Sequence, residues 1–393
     1  MIDHLKRHFD LFIVGLFLTL LFFFPVKVDF YNVVASFYVL NLLVQKKIAF
    51  LDLFLDKVFI FLGGWFLIVL ISRNINGLGL NRSTLDVLTV VYPYFLGRFL
   101  PVQNVCRYFK LFVLLLFLTT LISVAVHFTS PNPLAVAQLF FKHPSRAALF
   151  LAVSILMCAF FSLRPKTKIK IRVFFIGLSL WFLALMYVMQ ELTPLASLFV
   201  CLVLLLANVI PLPKLKWLVV VGVLGLGWVV LTFSPKFNYL KQNPLQRVTV
   251  NHRYNMWKAA LNMFEEKPLW GQGFRSFKQK YKQFLDKQDK FYNPSLLASG
   301  YEDPHNLNLT LLAELGLIGW AWVSCFFMFI FYSGLGKYRK NQTLFLISLL
   351  IFLIYLNMQL HVHLNVHSVM AIWFWLIGLF FNKLSQVKIN TSQ

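Results

Sequence analysis

Apolar runs bounded by charges, proline or asparagine clusters recur along the chain, and their lengths predict membrane-crossing helices. Twelve runs stand out, at 10–24, 31–44, 58–71, 86–100, 111–127, 146–163, 172–189, 195–210, 217–233, 309–332, 343–359 and 367–382. Several are short. Fourteen residues of helix rise only about 21 Å against a hydrocarbon core of about 30 Å, so 31–44 and 86–100 have the length of broken or partly re-entrant segments. The fourth run also carries Pro93, Gly97 and Arg98 in its interior. The expected architecture is an all-α integral membrane protein with about twelve transmembrane helices: a bundle of nine spans over 1–233, one long loop over 234–308 containing short amphipathic helices, and three further spans with a short tail over 309–393.

Composition agrees, and charge adds an orientation. Of 393 residues, 59% are hydrophobic and 13% charged, against roughly 25% charged in soluble domains, which argues against an ordinary cytosolic enzyme. The formal charge of +23 would suit a nucleic-acid binder only if it were gathered on one soluble face. It is spread instead. With the N terminus inside, the inner loops hold twenty basic residues, from Lys6 and Arg7 to Lys383 and Lys388, and the short outer loops hold five: Lys27, Arg73, Arg82, Lys142 and Arg146. The remaining twelve lie in 234–308, a loop long enough to be exempt from the count. The asymmetry places both termini on the cytoplasmic side, and no nucleic-acid partner is expected. The first apolar run lacks a small-residue cleavage site and runs into Pro25-Val26-Lys27, so it is expected to remain as a span. Cys106, Cys158, Cys201 and Cys325 have no paired spacing, and neither a disulfide framework nor a metal site is expected from them.

Residues 234–308 are the stretch with room for chemistry in water. Their twelve basic residues against Glu265, Glu266, Asp286, Asp289, Glu302 and Asp303 suit either contact with anionic headgroups or an anionic ligand held at the membrane surface. From Arg253 to Phe264, apolar residues at 256, 257, 260, 261, 263 and 264 have helical spacing, which Lys267-Pro268 ends. Trp270-Gly271-Gln272-Gly273-Phe274 predicts a tight glycine turn, followed by a segment over 275–291 in which Phe277, Tyr281 and Phe284 recur three or four apart among lysines. Both segments read as amphipathic helices lying on the bilayer. Asp303 is the expected N-cap of the tenth span and Pro304 its first residue, which puts His305 in the first turn. A helix N-terminus there favours an anion such as a diphosphate and a neutral imidazole, and a neutral imidazole can act as a general base. A plain cap or interfacial hydrogen bonder is the other reading of the same histidine.

The order Arg253, Trp257, Ala260, Pro268, Gly271-x-Gly273-Phe274, Pro304-His305-Asn306, Leu309, Glu314-Leu315-Gly316 and Gly319 resembles the shared C-terminal region of the bacterial O-antigen ligase and polymerase superfamily, closest to O-antigen ligase. The resemblance covers roughly residues 250–320. It implies a metal-independent glycosyltransferase of the bacterial inner membrane with no cofactor. Its donor would be an undecaprenyl-diphosphate-linked glycan and its acceptor a sugar of the lipid A core, with the long loop facing the periplasm among membrane lipids. His305 matches the base towards the acceptor hydroxyl, and Arg253 matches the loop arginine that holds the diphosphate, for which a bidentate guanidinium is suited. Trp257, Gly271, Gly273, Asn306 and Glu314 are supporting residues. One departure stands out. The family's second arginine, in a Ser-Arg-Gly-like start of the span two before the loop, is missing from Thr193-Pro194-Leu195-Ala196-Ser197. Arg146, in Ser145-Arg146-Ala147-Ala148, and Arg247 are the candidate replacements.

Glu314, about 13 Å below His305 by helical rise, is expected to be a paired anchor of the loop rather than an acid catalyst. Among His361, His363 and His367, only the last two share a helical face and no carboxylate or thiol stands near, so no metal site is expected. Asn308 and Gln359 are weaker candidates for sugar contacts. Two other functions compete with a ligase. A polymerase would use a second lipid-linked repeat as acceptor. A non-enzymatic transporter of lipid-linked glycan would need charges inside several spans, whereas nearly all charge lies at span ends.

Overall fold

A computed structural model describes residues 2–23, 30–45, 47–48, 53, 56–79, 89–129, 144–164, 167–189, 191–209, 221–222, 225, 248–292, 294, 297, 300–301, 303–337, 341–359 and 367–391. All regular structure among them is helical. Before the long loop come α1 (Ile2–Phe23), α2 (Phe30–Val44), α3 (Lys57–Ile75), α4 (Val91–Phe99), α5 (Val105–Thr129), α6 (Pro144–Leu163), α7 (Ile169–Met189) and α8 (Leu192–Val209). The loop contains α9 (Val248–Glu266) and the single turn α10 (Phe277–Lys280); α11 (Leu307–Leu335), α12 (Gln342–Met358) and α13 (His367–Thr391) follow. A helix covers all or part of each expected span except 217–233, most of which lies outside the described residues. Seven helical segments, in α3, α5, α6, α7, α8, α11 and α13, are long and apolar enough to cross a membrane. The expected count of twelve goes beyond these seven.

The fourth expected span departs most from its prediction. Its helix has nine residues, about 13 Å of rise. Pro93 is tolerated because the first turn has no intrahelical use for its missing N–H. Pro101 forces Leu100 into an extended conformation and ends the helix. This short piece is held by α13. Gly97 and Gly378 bring the two backbones into contact, and a Cβ on either would collide with main-chain atoms of the other helix. Small residues at such crossings are what packing in lipid favours, because burial of apolar surface gives no advantage there. Asn382 Nδ2 donates to the carbonyls of Leu100 (2.7 Å) and Gly97 (3.3 Å), satisfying two C-terminal acceptors of α4.

α6 and α12 are buried nearly all round and form the middle of the bundle. α7 covers one side of α6 with Phe175, Leu178, Phe182 and Met186, while Val173, Phe174, Leu180 and Val188 point outward. An apolar face turned outward is the mark of a surface that meets lipid. Helix ends that the charge pattern assigns to one side meet one another. Arg98 pairs with Asp56 at 2.8 Å and approaches Ser385 at one end of the bundle. Ser72, Arg73 and Asn76 at the other end of α3 meet residues 267–274 of the long loop.

Candidate functional site

The long loop is fixed to the bundle through a break in α11. Gly316 has φ 66° and ψ −164°, a region essentially confined to glycine, and the helical ladder is interrupted there. The freed groups find partners in the loop. Gln272 and Gly273 N–H donate to the Ala313 and Glu314 carbonyls at 2.9 Å each, while Leu317 and Ile318 donate to the Pro268 and Leu269 carbonyls at 2.8 and 3.3 Å. Buried backbone groups require partners, and these two segments supply each other's. The exchange needs bare backbone on both sides. A Cβ on Gly316 would strike Leu269 and Trp270, and one on Gly271 (φ 62°) would strike residues 314–316.

Glu314 completes the anchor. Its carboxylate is 3% exposed and accepts from the Arg275 and Phe277 amides at 2.8 and 3.1 Å. From α3, Ser72 donates to the Trp270 and Glu314 carbonyls (2.7 and 3.1 Å), and the buried Arg73 donates to the Gly79 and Phe274 carbonyls, both at 2.7 Å. Arg73 thus clamps the loop to the end of α3.

Two expectations for the loop are corrected. α9 forms, but most of its apolar face is taken up within the protein instead of being left for a bilayer: Met256, Ala259, Ala260 and Met263 share a small core with Phe277, Tyr281, Leu285 and Ala313. The second amphipathic helix, expected over 275–291, is absent. After α10 and a 3-10 turn at Tyr281–Gln283 the chain is irregular from Phe284 to Tyr292. Asp286 and Asp289 accept from the amides two residues ahead, Gln288 and Phe291, at 3.0 and 2.8 Å, which competes with helix formation. Both carboxylates also take the Lys258 ammonium of α9, which holds Asp286 below the usual range and, with the Phe291 amide, pulls Asp289 down to about 2.

A third correction concerns the start of α11. Asn306 is its cap, accepting from Leu309 N–H at 3.0 Å, and Asp303 is not. Asp303 is engaged one step earlier, by the His305 amide at 2.7 Å. His305 therefore stands just outside the helix with φ 56°, instead of in its first turn. This geometry brings His305 Nδ1 to 3.3 Å from Asp303 Oδ1. The Tyr301 ring is edge-on to both His305 and His252, with centroids 6.1 and 5.5 Å away, and its hydroxyl is hydrogen-bonded to His252 Nδ1. Burial holds the His252 imidazole below the ordinary histidine range. Trp257 Nε1 donates to the Pro304 carbonyl at 2.8 Å, so α9 grips this segment at two points.

Arg253 precedes Trp257 by one turn and shares its face of α9. Burial disfavours its charged form and Glu191, between α7 and α8, offsets part of that. Its side chain makes no hydrogen bond to another described residue. An imidazole beside a carboxylate is equipped to take a proton from a hydroxyl, and a half-buried guanidinium on the α9 face that bears Trp257 is suited to an anionic leaving group. Arg146 stands in the first turn of α6 and makes no hydrogen bond to a described residue. Arg247, His361, His363 and the side chain of His367 lie outside the described residues. Asn308 and Gln359 bond each other at 2.8 Å, and Asn308 also accepts from Trp320, which links α11 to α12. Sequence reasoning missed Asp303 as the carboxylate beside His305, the His252–Tyr301 contact, Ser72, and Glu191. Only Glu191, a lone acid at a span end, had a signal to be found.

Residues 180–324, from the second half of α7 into α11, match the family model described as O-antigen ligase, which supports the O-antigen ligase family for this chain. The matched region contains His305, Arg253, Glu314 and both ends of the loop anchor. With several membrane-length helices, it supports a multi-pass membrane protein with glycan-transferring activity of the ligase or polymerase type. No curated protein and no solved structure matches the chain.

Proposed function

We propose, with the O-antigen ligase domain of residues 180–324 as the premise, that the protein transfers a glycan from a polyprenyl-diphosphate carrier to a sugar hydroxyl of the lipid A core. His305 takes the proton of the acceptor hydroxyl. The hydroxyl oxygen forms a bond to the anomeric carbon, whose bond to the diphosphate oxygen breaks, and the polyprenyl diphosphate leaves with the electron pair. Arg253 holds the diphosphate, where its guanidinium gains a partner for the charge that burial disfavours. Arg146 and Arg247 are further candidates for that role. The observation that carries the proposal is the Asp303–His305 contact seated on the face of α9 that bears Arg253 and Trp257. Glu314, Gly271, Gly273 and Asn306 fix the loop and helix start that present the histidine.

In this reading the chain crosses the inner membrane about twelve times, with both termini inside and the 234–308 loop in the periplasm. The test is reconstitution with lipid-linked glycan donor and rough lipopolysaccharide, with chelator and without nucleotide. The His305→Ala protein should lose transfer by about 10²-fold or more, in the range of general-base contributions. Wild-type rates in that variant would refute the role. If the wild-type protein extends a second lipid-linked repeat but leaves the core acceptor untouched, it is a polymerase.

A further inference from the structure

The end of the bundle opposite the long loop gathers cations without acids. No Asp or Glu occurs between Asp86 and Glu191, a stretch that carries Arg107, Lys110, Arg164, Lys168, Lys170 and Arg172 among its basic residues. Three of these come together from three helices around the C-terminal end of α6. Lys110 of α5 lies over the Phe161 ring at 5.7 Å, and Arg164 over the neighbouring Phe160 at 5.6 Å. Arg164 Nη1 reaches Cys106 Sγ, one turn before Lys110, at 3.5 Å. Cys106 in turn meets Thr343 at 3.9 Å, at the start of α12 and so at the far end of α11 from the loop. From α7, Arg172 Nη2 reaches the Arg164 carbonyl at 3.5 Å. Like charges gathered in this way repel one another, and among the described residues no carboxylate pairs with any of the three. Their contacts are weak substitutes: ring faces, a sulfur and one main-chain oxygen at the limit of a hydrogen bond. Arg172 Nε is buried with no partner, a donor for which the protein supplies no acceptor.

We infer that this junction binds the headgroup of a phospholipid with two phosphodiesters, a diphosphatidylglycerol, whose phosphates supply the counter-charge that the sequence omits and tie α5, α6 and α7 together. Guanidinium forks suit phosphate oxygens, and a basic pocket between membrane helices suits an anionic headgroup. The surroundings favour a lipid over a soluble anion or an acidic protein. Leu114 and Leu118, one and two turns on from Lys110, are exposed on α5, and Phe174, Ile176 and Leu180 are exposed on α7. Apolar surface for acyl chains therefore begins where the cations end. Charge decides the number of phosphates: one phosphodiester answers one of the three cations, whereas two joined through a glycerol answer two of them from a single molecule. None of these residues belongs to the site around His305.

The test uses the full-length protein in neutral detergent, stripped of native lipid, with phosphatidylcholine, phosphatidylglycerol or diphosphatidylglycerol added at equal phosphate. Native mass spectrometry should show diphosphatidylglycerol retained in preference to the other two, and it should raise Tm more than phosphatidylglycerol does, with phosphatidylcholine inert. Lys110→Gln, Arg164→Gln and Arg172→Gln should each weaken retention about fivefold or more. Lys57→Gln, which removes a charge at the same end of the bundle but on α3, should leave it unchanged. A diphosphatidylglycerol with a diazirine midway along one acyl chain should label wild-type peptides holding 114–118 or 173–180, a readout that needs no variant to fold. The assignment is overturned by equal retention of phosphatidylglycerol, by label confined to other helices, by Lys57→Gln losing as much as the site variants, or by site variants that melt cooperatively and retain the lipid like wild type. Binding of a polyglutamate peptide with no response to diphosphatidylglycerol would overturn it too, and would give the face to an acidic protein.

Discussion

Replacing Gly316 by alanine tests the claim that the long loop is fixed through the break in α11. Alanine at φ 66°, ψ −164° costs about 1–3 kcal/mol in backbone strain. Its Cβ would also strike the main chain of Leu269 and Trp270, and the segments must part to relieve that. Parting loses at least the Leu317–Pro268 and Ile318–Leu269 hydrogen bonds, about 0.5–1.5 kcal/mol each. The total is roughly 2–6 kcal/mol, a large share of the stability of any domain. The comparison is Gly63→Ala in α3, where a Cβ meets nothing within 4 Å and alanine should be neutral or stabilising by up to about 1 kcal/mol. Thermal unfolding in detergent gives the stability, and limited trypsin digestion at Lys278 and Lys282 reports whether the loop has come away. Glycan transfer should fall with loop release, since a displacement of about 1 Å at a catalytic group can cost about 10²-fold. If Gly316→Ala melts with Gly63→Ala and keeps the loop protected, the exchange of backbone bonds is not what holds it.

Three further outcomes follow from the same geometry. Glu314→Gln leaves one of the Arg275 and Phe277 amides facing a donor, at a cost of about 1–3 kcal/mol, read as faster hydrogen exchange over 274–278. Trp257→Phe removes the bond to the Pro304 carbonyl, worth about 1 kcal/mol, so kcat should drop about fivefold with KM for the donor nearly unchanged; a pure KM effect would show that the indole touches substrate instead. Asp286 and Asp289 titrate below the ordinary carboxylate range beside Lys258, so their stabilising contribution is complete above the unfolded value near about 4 and is lost as pH falls towards about 2. Hydrogen exchange of 286–292, corrected for intrinsic rate, should rise across that window in wild type, and Lys258→Met should already exchange fast at pH 5 with little further change.

The helices were legible because lipid demands long apolar runs, and Gly271-Gln272-Gly273 announced its turn through residues that only a tight bend needs. The cap of α11 was ambiguous for a local reason. Asp303-Pro304 and Asn306 both satisfy the cap rule, and the choice fell to the hydrogen bond that Asp303 makes with the His305 amide. The 275–291 segment misled because Phe277, Tyr281 and Phe284 do have helical spacing. The first two are spent on packing against α9, and the aspartates further on bend the chain towards Lys258. Arg73 entered the sequence count only as a charge, and its role as a clamp depends on carbonyls as distant as Phe274, to which no local pattern points. The Tyr301–His252 contact bridges 49 positions and was illegible for the same reason.

The interrupted ladder at Gly316 has a consequence for how the protein is made. The partners of the four unpaired groups of α11 all lie in residues 268–273, which leave the ribosome before α11 does. Seated in a bilayer alone, α11 would expose those groups to hydrocarbon, at several kcal/mol each. The loop must therefore take its place beside α11 before that helix is finally seated, and a chain in which it has not done so would keep this helix at the translocon instead of releasing it to lipid.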